Sequence, residues 1–281
     1  MLARLVSADD FVALCTMLNE IRIGCVSEGT RELFCSLDRP LMDGNVAATE
    51  LFPTRREVDR ANAVRMGGLC GPVVRYEAAD SGKLLGGVEL ERTLEGCMAP
   101  KRLLLKPGAQ VMLLKNMDES LVNGSVGIVL CFCKERDFNR YAEGLVELAE
   151  LDGVSCAESV VDGVSCRLWP VVAFRLVSGG ERVVMCSPED WKLELPTGEI
   201  LAQRRQVPLL LAWALSIHKS QGQTLQRVSI DLRRVFETGQ AYVALSRATS
   251  RDGLWVRNFR DSAVMVDDRV VKFYRGLDSV A

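Results

Sequence analysis

The segment that most constrains this chain is LLLAWAL, residues 209–215, an unbroken run of apolar side chains. A strand that is buried on both faces has this composition, because neither face meets water. Such strands occur in parallel sheets that carry helices on both sides. The longer apolar stretch 207–217 is about half the ~20 residues that a membrane helix needs. It therefore predicts a core strand ending at Ser216, and not a membrane span.

Other segments complete an α/β pattern. Residues 10–37 have apolar side chains at helical spacing, with a second short helix from Glu28. Residues 50–52 predict a strand, and Thr54 with Glu57 forms a T-x-x-E capping box that predicts a helix over 54–66. After the apolar run we expect the strand RVSIDL, the helix GQAYVALSRA, the strand GLWVRNF and a terminal helix in MVDDRVVKFYRGL.

Between these α/β parts, the residues from about 122 to 205 predict a small antiparallel β module. Short apolar strands occur in GSVGIVLCF, VVAFRLVSG and ERVVMCS, with a hairpin turn at Gly179-Gly180. A further strand is predicted over 110–114. The pentapeptide DGVSC occurs at 152–156 and again at 162–166. We interpret it as a duplicated surface loop; the alternative is a metal site on its cysteines, although no histidine is near.

Charge and cysteine usage limit the classes of function. The net charge is −2, yet residues 204–275 hold 13 Lys and Arg against 6 Asp and Glu. A local basic surface suits a polyanion, and the alternative is an ordinary solvated helix face. The 10 cysteines include no C-x-x-C, and with 1 histidine we expect no metal site. Scattered cysteines favour a reducing compartment.

The segment SIHKSQGQTL, residues 216–225, follows the apolar run directly. Ser216 suits the N-cap of a short helix over 218–222, whose free N–H groups would favour a phosphate. The HKS side chains add donors, and Gly222 lets backbone approach a ligand closely. The long Gly-rich loop of a P-loop is absent, so the pattern indicates a single phosphate contact. The alternative is a capped core helix with a surface lysine.

A second constellation lies in GQAYVALSRA, residues 239–248. Tyr242 and Leu245 share an apolar face, while Arg247 projects away from it. An arginine near the carboxyl edge of a sheet can reach a γ-phosphate across a domain interface and stabilise developing charge. We therefore expect its guanidinium to be free. The segment VSID, 228–231, imitates a strand that holds Mg²⁺, but no acidic partner follows it.

Together these segments resemble a known family, the petite integration frequency type-one (Pif-type) DNA helicases of superfamily 1. PLLLAWALSIHKSQGQTL resembles their motif V, GQAYVALSRATSRDGLWV their motif VI, and LFPTRREVDRANA their motif IV. LKPGAQVMLLKNMDESLVNGSVGIV and EDWKLELPTGEILAQRRQVPL also match. The resemblance extends over the chain from about residue 10.

The resemblance implies an α/β fold: a RecA-like motor domain with an inserted small β-barrel of the SH3 type. Residues 1–45 would be the tail of a preceding RecA-like domain, 46–121 with 206–281 the second RecA-like domain, and 122–205 the barrel. It also implies ATP-dependent movement from 5′ to 3′ on single-stranded DNA. The expected setting is DNA repair, recombination, replication or telomere maintenance, in the nucleus or the mitochondrion.

The resemblance further implies roles for individual residues. The expected DNA-binding residues are His218, Lys219, Ser220 and Thr224. The expected nucleotide-binding and catalytic residues are Gln221, Gly222 and Arg247, with Arg55 as a second nucleotide contact. In this assignment Gln221 and Gly222 couple the DNA to the nucleotide, and Arg247 contacts the γ-phosphate.

The family's G-x-x-x-x-G-K-[ST] loop and its Mg²⁺-holding acidic pair belong to the first motor domain, and this sequence contains neither. We therefore expect ATP and Mg²⁺ to be held only with that domain, supplied in cis or in trans. Phosphoryl transfer depends on both elements, so we expect the chain alone not to hydrolyse ATP. The alternative is a truncated, non-catalytic protein that binds DNA or a partner.

Overall fold

The computed structural model describes residues 8–41, 44, 46–83, 87–144, 146–151, 168–176 and 179–278. The helices are α1 (Ala8–Ile23), α2 (Glu28–Leu37), α3 (Arg55–Gly67), α4 (Gly87–Leu94), α5 (Glu135–Ala142), α6 (Gln240–Leu245) and α7 (Asp268–Asp278). The strands are β1 (Thr49–Phe52), β2 (Val74–Glu77), β3 (Ala79–Gly82), β4 (Arg102–Leu105), β5 (Gln110–Leu113), β6 (Val126–Cys133), β7 (Trp169–Arg175), β8 (Glu181–Met185), β9 (Glu189–Glu194), β10 (Ile200–Gln206), β11 (Leu209–Leu211), β12 (Ala214–Ser216), β13 (Val228–Asp231) and β14 (Leu254–Arg257).

The chain divides into two compact units, and the first combines residues 1–63 with 212–281. It contains a parallel four-stranded sheet in the order β12-β1-β13-β14. All four residues of β13 are buried, as are three of the four in β1. Both faces of these strands are therefore covered, as is usual in a parallel sheet. The predictions of two helices within 10–37, a strand at 50–52 and an α/β layer are confirmed.

The turn from β1 into α3 is fixed by the capping box. The Thr54 hydroxyl oxygen accepts a hydrogen bond from the Glu57 N–H at 3.4 Å and donates to the Glu57 carboxylate at 2.7 Å. Satisfying an N–H group of the first turn is what starts a helix at a given residue. The predicted start of this helix is therefore confirmed, with Arg55 as its first residue.

A buried asparagine on α3 completes the outer edge of the sheet. The Asn62 carboxamide accepts from the Ala214 N–H and donates to the Ala214 carbonyl oxygen, both at 3.0 Å. Asn62 is 7% exposed, and Ala214 lies in the edge strand β12. Since an edge strand presents unpaired backbone groups, this side chain substitutes for a fifth strand. It holds in place the strand that precedes the HKS residues.

Close packing at the start of β14 requires a glycine at position 253. Its carbonyl oxygen accepts from the Val228 N–H at 2.8 Å, which aligns β14 with β13. A Cβ atom on residue 253 would collide with the carbonyl oxygen of Gln226. That oxygen belongs to the backbone, so no side-chain rotation relieves the collision.

The second unit, residues 64–211, contains antiparallel sheets. One has five strands in the order β11-β5-β6-β7-β8, one has three in the order β3-β10-β9, and β2 pairs with β4. The predicted hairpin at Gly179-Gly180 is confirmed: both residues have positive φ, and the Leu176 N–H donates to the Gly180 carbonyl at 3.1 Å.

The compact β unit is larger than the segment 122–205 that the sequence predicts. Strand β5 and strand β11 lie outside that segment, yet both pair within the five-stranded sheet. The composition of a strand indicates burial, but it gives no information about which other strand it pairs with. The boundaries of the β unit therefore could not be predicted from the sequence.

The apolar run 209–215 is not one strand, as the sequence predicted. It contains β11, which pairs with β5 in the second unit, and most of β12, which pairs with β1 in the first. Ala212 and Trp213 separate the two strands, and the Ala212 carbonyl accepts from the Thr49 hydroxyl at 2.8 Å. Since all these positions favour apolar side chains, the composition does not show that the chain passes from one sheet to another within this run.

Both copies of DGVSC lie outside the described residues. Within the described parts of the chain, none of the helices has the length and apolar character that crossing a membrane requires.

Candidate functional site

The residues singled out in the sequence lie at the carboxyl edge of the parallel sheet. Phe52 and Ser216, the last residues of β1 and β12, are register partners, and Asp231 pairs with Arg257 at the ends of β13 and β14. The loops that follow all four strands therefore leave the same edge. In open α/β sheets this is the edge where ligands bind.

The segment Ser216–Gln223, here called the HKS turn, follows β12. The Ser216 hydroxyl oxygen accepts from the Lys219 N–H at 3.3 Å, as expected of an N-cap. The predicted helix is wrong, however, because the segment consists of consecutive hydrogen-bonded turns. The Ser220 N–H donates to the Ser216 carbonyl at 3.0 Å, and the Gln221 N–H to the His218 carbonyl at 3.2 Å.

Positive φ at Gly222, 74°, ends the turn. Only glycine adopts this conformation without strain, so it stops a helix after one turn. The cap at Ser216 and the glycine are only six residues apart in sequence. The sequence therefore contained both the cap that begins the segment and the glycine that ends it. The residues between them are too few for a regular helix.

The side chains of the HKS turn have different environments. His218 is 64% exposed, and its Nε2 lies 3.6 Å from a Glu237 carboxylate oxygen. Lys219 is half-buried, while Gln221 and Thr224 are exposed. Ser220 is fully buried, and its hydroxyl donates to the Ile217 carbonyl at 2.7 Å. The Ser220 hydroxyl thus bonds within the HKS turn in this conformation, whereas the sequence led us to expect that it would contact a phosphate of the DNA.

Arg247 bonds to the HKS turn. One terminal nitrogen donates to the carbonyl oxygens of Ser220 and Gln223 at 3.3 and 3.2 Å. Its Nε donates to the Val243 carbonyl at 2.9 Å, and the other terminal nitrogen to the Ser246 hydroxyl at 2.8 Å. The expectation of a free guanidinium is therefore wrong. Arg247 lies two residues after the end of α6, and the sequence could not show that its side chain reaches the carbonyls of the HKS turn.

The electrostatic setting of Arg247 is that of a cation without an anion. Among the described residues it forms no ion pair, and burial lowers the pKa of its guanidinium. Arginine nevertheless stays protonated in proteins. A half-buried charge that only neutral acceptors compensate is well suited to an incoming anion, because hydrogen bonds to charged acceptors are the stronger ones.

Arg55 lies at the same sheet edge, as the first residue of α3 after β1. It is exposed, and within the described part of the chain it makes no hydrogen bond or ion pair. The strand register places its loop beside the loop of the HKS turn. The structure thus brings Arg55, the HKS turn and Arg247 to one edge.

Asp231, at the end of β13, is held by arginines and an amide. Its carboxylate accepts from the Arg233 backbone and side chain and from Asn258 at 3.0 Å. Burial raises its pKa, but the hydrogen bonds from Arg233 and Asn258 and the charge of Arg233 together outweigh burial and leave the pKa below its usual value. In the described residues no group of three or more His, Cys, Asp or Glu side chains could hold a metal ion.

The sequence reasoning missed three residues of this edge. Gln223 is 3% exposed, and neither polar atom of its carboxamide has a hydrogen-bond partner within the described residues. Gln240 is 4% exposed and orders the loop before α6, and Phe236 in that loop is 57% exposed. Two isolated glutamines and one phenylalanine form no periodic pattern in the sequence. Only their position in the fold therefore identifies them as part of this edge.

Comparisons with known proteins agree with the motif resemblance. A family model described as DNA helicase Pif1, 2B domain, matches residues 90–132. The ATP-dependent DNA helicase PIF1 of Emericella nidulans is 50% identical over 277 residues, covering 93% of this chain and 37% of that protein. The ATP-dependent DNA helicase PIF1 of Saccharomyces cerevisiae is 37% identical over 340 residues, covering 94% of this chain and 40% of that protein.

The fold agrees as well. The crystal structure of Pif1 helicase from Candida albicans superposes with a TM-score of 0.69 at 40% identity, covering 94% of this chain and 57% of that one. This likeness confirms the RecA-like motor fold in its coarse outline. The chain spans less than half the length of the two curated relatives.

Proposed function

We propose, from the premise that this chain matches the carboxyl-terminal half of a Pif1-type helicase, that it is the second motor half of an ATP-dependent 5′-to-3′ DNA helicase. Its substrate would be single-stranded DNA, and its setting the repair, recombination or telomere maintenance of nuclear or mitochondrial DNA. In this proposal the antiparallel five-stranded sheet of the second unit belongs to an inserted SH3-like barrel.

The observation that carries the proposal is the bonding of Arg247 to the HKS turn. Two carbonyl oxygens of that turn, on Ser220 and Gln223, accept from the guanidinium. The resemblance gives the turn a DNA contact and gives Arg247 a γ-phosphate contact. In this proposal the residue that contacts the nucleotide is hydrogen-bonded directly to the turn that contacts the DNA.

The donor set of this edge suits a phosphate. Arg247 has no carboxylate partner in the described residues, and exposed Arg55 lies on the neighbouring loop. A planar guanidinium matches the oxygens of a phosphate with two parallel hydrogen bonds. ATP with Mg²⁺, held chiefly by the first motor half, would supply the phosphoryl group and its charge.

The chain's own residues would then couple nucleotide and DNA. If Arg247 turns toward a phosphate, the nitrogen that donates to Ser220 and Gln223 moves away from those carbonyl oxygens. The turn loses those bonds, and Gln221 and Gly222 at its exposed tip change position. His218, Lys219 and Thr224 would hold the DNA backbone, while buried Ser220 keeps the turn closed.

The test is single-strand binding by the full 281-residue chain. Fluorescence anisotropy with an oligo-dT strand, over a range of salt concentrations, should show affinity that falls with salt. Lys219→Ala should weaken binding and flatten the salt slope by about one unit, as loss of one phosphate contact does. Arg269→Ala, which removes an arginine whose side chain is 91% exposed on α7, is the matched control.

Two outcomes would overturn the proposal: no binding at low salt, or Lys219→Ala indistinguishable from Arg269→Ala. A second arm uses the chain joined to its first motor half. There Arg247→Lys should reduce DNA-stimulated ATP hydrolysis by about 10³-fold, as for removal of an arginine finger. Turnover by the 281-residue chain alone would contradict the assignment of ATP and Mg²⁺ binding to the other half.

A further inference from the structure

Phe236 has an exposed ring beside the HKS turn. It is 57% exposed and lies in the loop 235–239 between the short 3₁₀ helix Leu232–Arg234 and α6. Two other phenylalanines of the described residues are comparably exposed, Phe11 on α1 and Phe273 on α7. Of these three, Phe236 is the one at the carboxyl edge of the sheet.

The loop that carries Phe236 is fixed by a buried glutamine. The Gln240 carboxamide oxygen accepts from the Phe236 N–H at 3.3 Å and the Glu237 N–H at 3.4 Å. Its nitrogen donates to the Glu237 carboxylate at 2.8 Å. The Gly239 N–H also donates to the Met265 carbonyl at 2.8 Å. The backbone that presents the ring is therefore held on several sides.

The same loop contacts the HKS turn. The Glu237 carboxylate that Gln240 orients lies 3.6 Å from His218 Nε2. Phe236 is thus the chain neighbour of a residue that touches the turn. Its loop is also preceded by Arg233 and Arg234, whose side chains are 58% and 46% exposed and pair with Asp231 and Glu57 respectively.

An exposed apolar ring on a rigid loop with cations close by matches the architecture of single-strand sites. These combine a positively charged path for the backbone with aromatic rings on which bases stack. A flat ring has no hydrogen-bonding demand and accepts any base, so it would add affinity without sequence preference.

We propose that Phe236 is a stacking platform for a base of the single strand whose backbone the HKS turn contacts. This inference rests on the proposed function and adds a base contact to its phosphate contacts. Stacking of one base on an aromatic ring contributes roughly a tenfold change in affinity.

The test compares variants in the anisotropy assay with oligo-dT. Phe236→Ala should weaken binding about tenfold, Phe236→Leu should weaken it comparably, and Phe236→Trp should keep it. The salt slope should stay that of the wild type, because no phosphate contact is removed. Phe273→Ala, an equally exposed ring on α7, is the control and should bind as the wild type does.

An abasic strand of the same length separates stacking from other apolar contacts. On that strand the wild type and Phe236→Ala should bind equally. Wild-type affinity for oligo-dT in Phe236→Leu, or an equal loss on abasic and normal strands, overturns the stacking platform while the effect of Lys219→Ala still supports the proposed function. Absence of any wild-type binding overturns both.

Discussion

Arg247 stabilises the first unit, because it donates to carbonyl oxygens on two residues of the HKS turn. Arg247→Ala removes those bonds and leaves the Gln223 carbonyl oxygen unpaired, while the Ser220 carbonyl keeps the Gln223 N–H as a donor at 3.1 Å. We expect the free energy of unfolding in urea to fall by about 2 kcal/mol. Arg269→Ala, at an exposed position, should change it by no more than about 0.5 kcal/mol. Equal small effects of the two variants would show that the turn holds its shape without Arg247.

Gln223 should behave in the opposite way. Both polar atoms of its carboxamide are buried without partners in the described residues. Gln223→Met keeps the length of the side chain and removes that unsatisfied pair, so the free energy of unfolding should stay the same or rise by about 1 kcal/mol. Thermal unfolding of variant and wild type measures this. A clear loss of stability would mean that the carboxamide has a partner in solution.

At the scale of single residues, the sequence predicted where the motif residues lie, but it did not predict their burial or their contacts. The cap at Ser216, the capping box at Thr54 and the sheet-edge position of Arg247 follow from local spacing. The burial of Ser220, the bonds of Arg247 and the exposed ring of Phe236 depend on contacts between segments far apart in the chain. Local spacing contains no information about those contacts.

Among the secondary-structure elements, the short 3₁₀ helix after β13 depends on one carboxylate. Asp231 accepts from the Arg233 N–H at 3.1 Å and from its guanidinium at 3.0 Å. Asp231→Asn should lower the free energy of unfolding at pH 7 by about 2 kcal/mol, the contribution of hydrogen bonds to a charged group.

The pH dependence gives an independent check on Asp231. Its pKa is lower in the folded state than in the unfolded chain. Its contribution is therefore present above the unfolded pKa, near 3.9, and is lost as the pH falls through the folded value. Melting temperatures of wild type and Asp231→Asn should converge as the pH falls below about 4. A gap that stays constant with pH would contradict a role for the carboxylate charge.

Most secondary-structure elements could be predicted from the sequence, but the strands with which each strand pairs could not. Helix α3 was predicted from its capping box, and the hairpin at Gly179-Gly180 from its glycines. The apolar run 209–215 was predicted as one strand, since every side chain in it favours burial. It is two strands because Ala212 and Trp213 bond to the first unit while β11 pairs in the second. Sheet membership is decided by packing, which local composition does not show.

Across the whole molecule, the cysteines provide a test of burial in both units. Cys186 is fully buried, and burial raises the pKa of its thiol to about 12. Cys25, Cys35 and Cys70 are exposed. Since the thiolate is the reactive form, the three exposed thiols should react with a disulfide reagent at pH 8 in the native protein, and Cys186 only after unfolding. Peptide mapping of the labelled protein assigns each site.

The same thiol has a consequence for stability at high pH. The unfolded thiol ionises near pH 8.5, whereas the folded one stays protonated to about pH 12. Unfolding therefore becomes more favourable as the pH rises through this interval. Cys186→Ala should reduce that alkaline loss, measured as the change in melting temperature between pH 8 and pH 10. Rapid native labelling of Cys186 would show that the second unit opens readily.

Position 253 has a consequence for inherited variation. Any single-base change in a glycine codon that substitutes another amino acid introduces a Cβ atom, and at this position that atom meets the backbone oxygen of Gln226. Every missense change at this codon therefore forces the surrounding backbone to shift, whatever side chain it encodes. Alanine, serine and valine substitutions should all destabilise the first unit, because each adds the same Cβ atom. In cells that express such a variant, the amount of the protein should fall, although none of the proposed ligand contacts has been substituted.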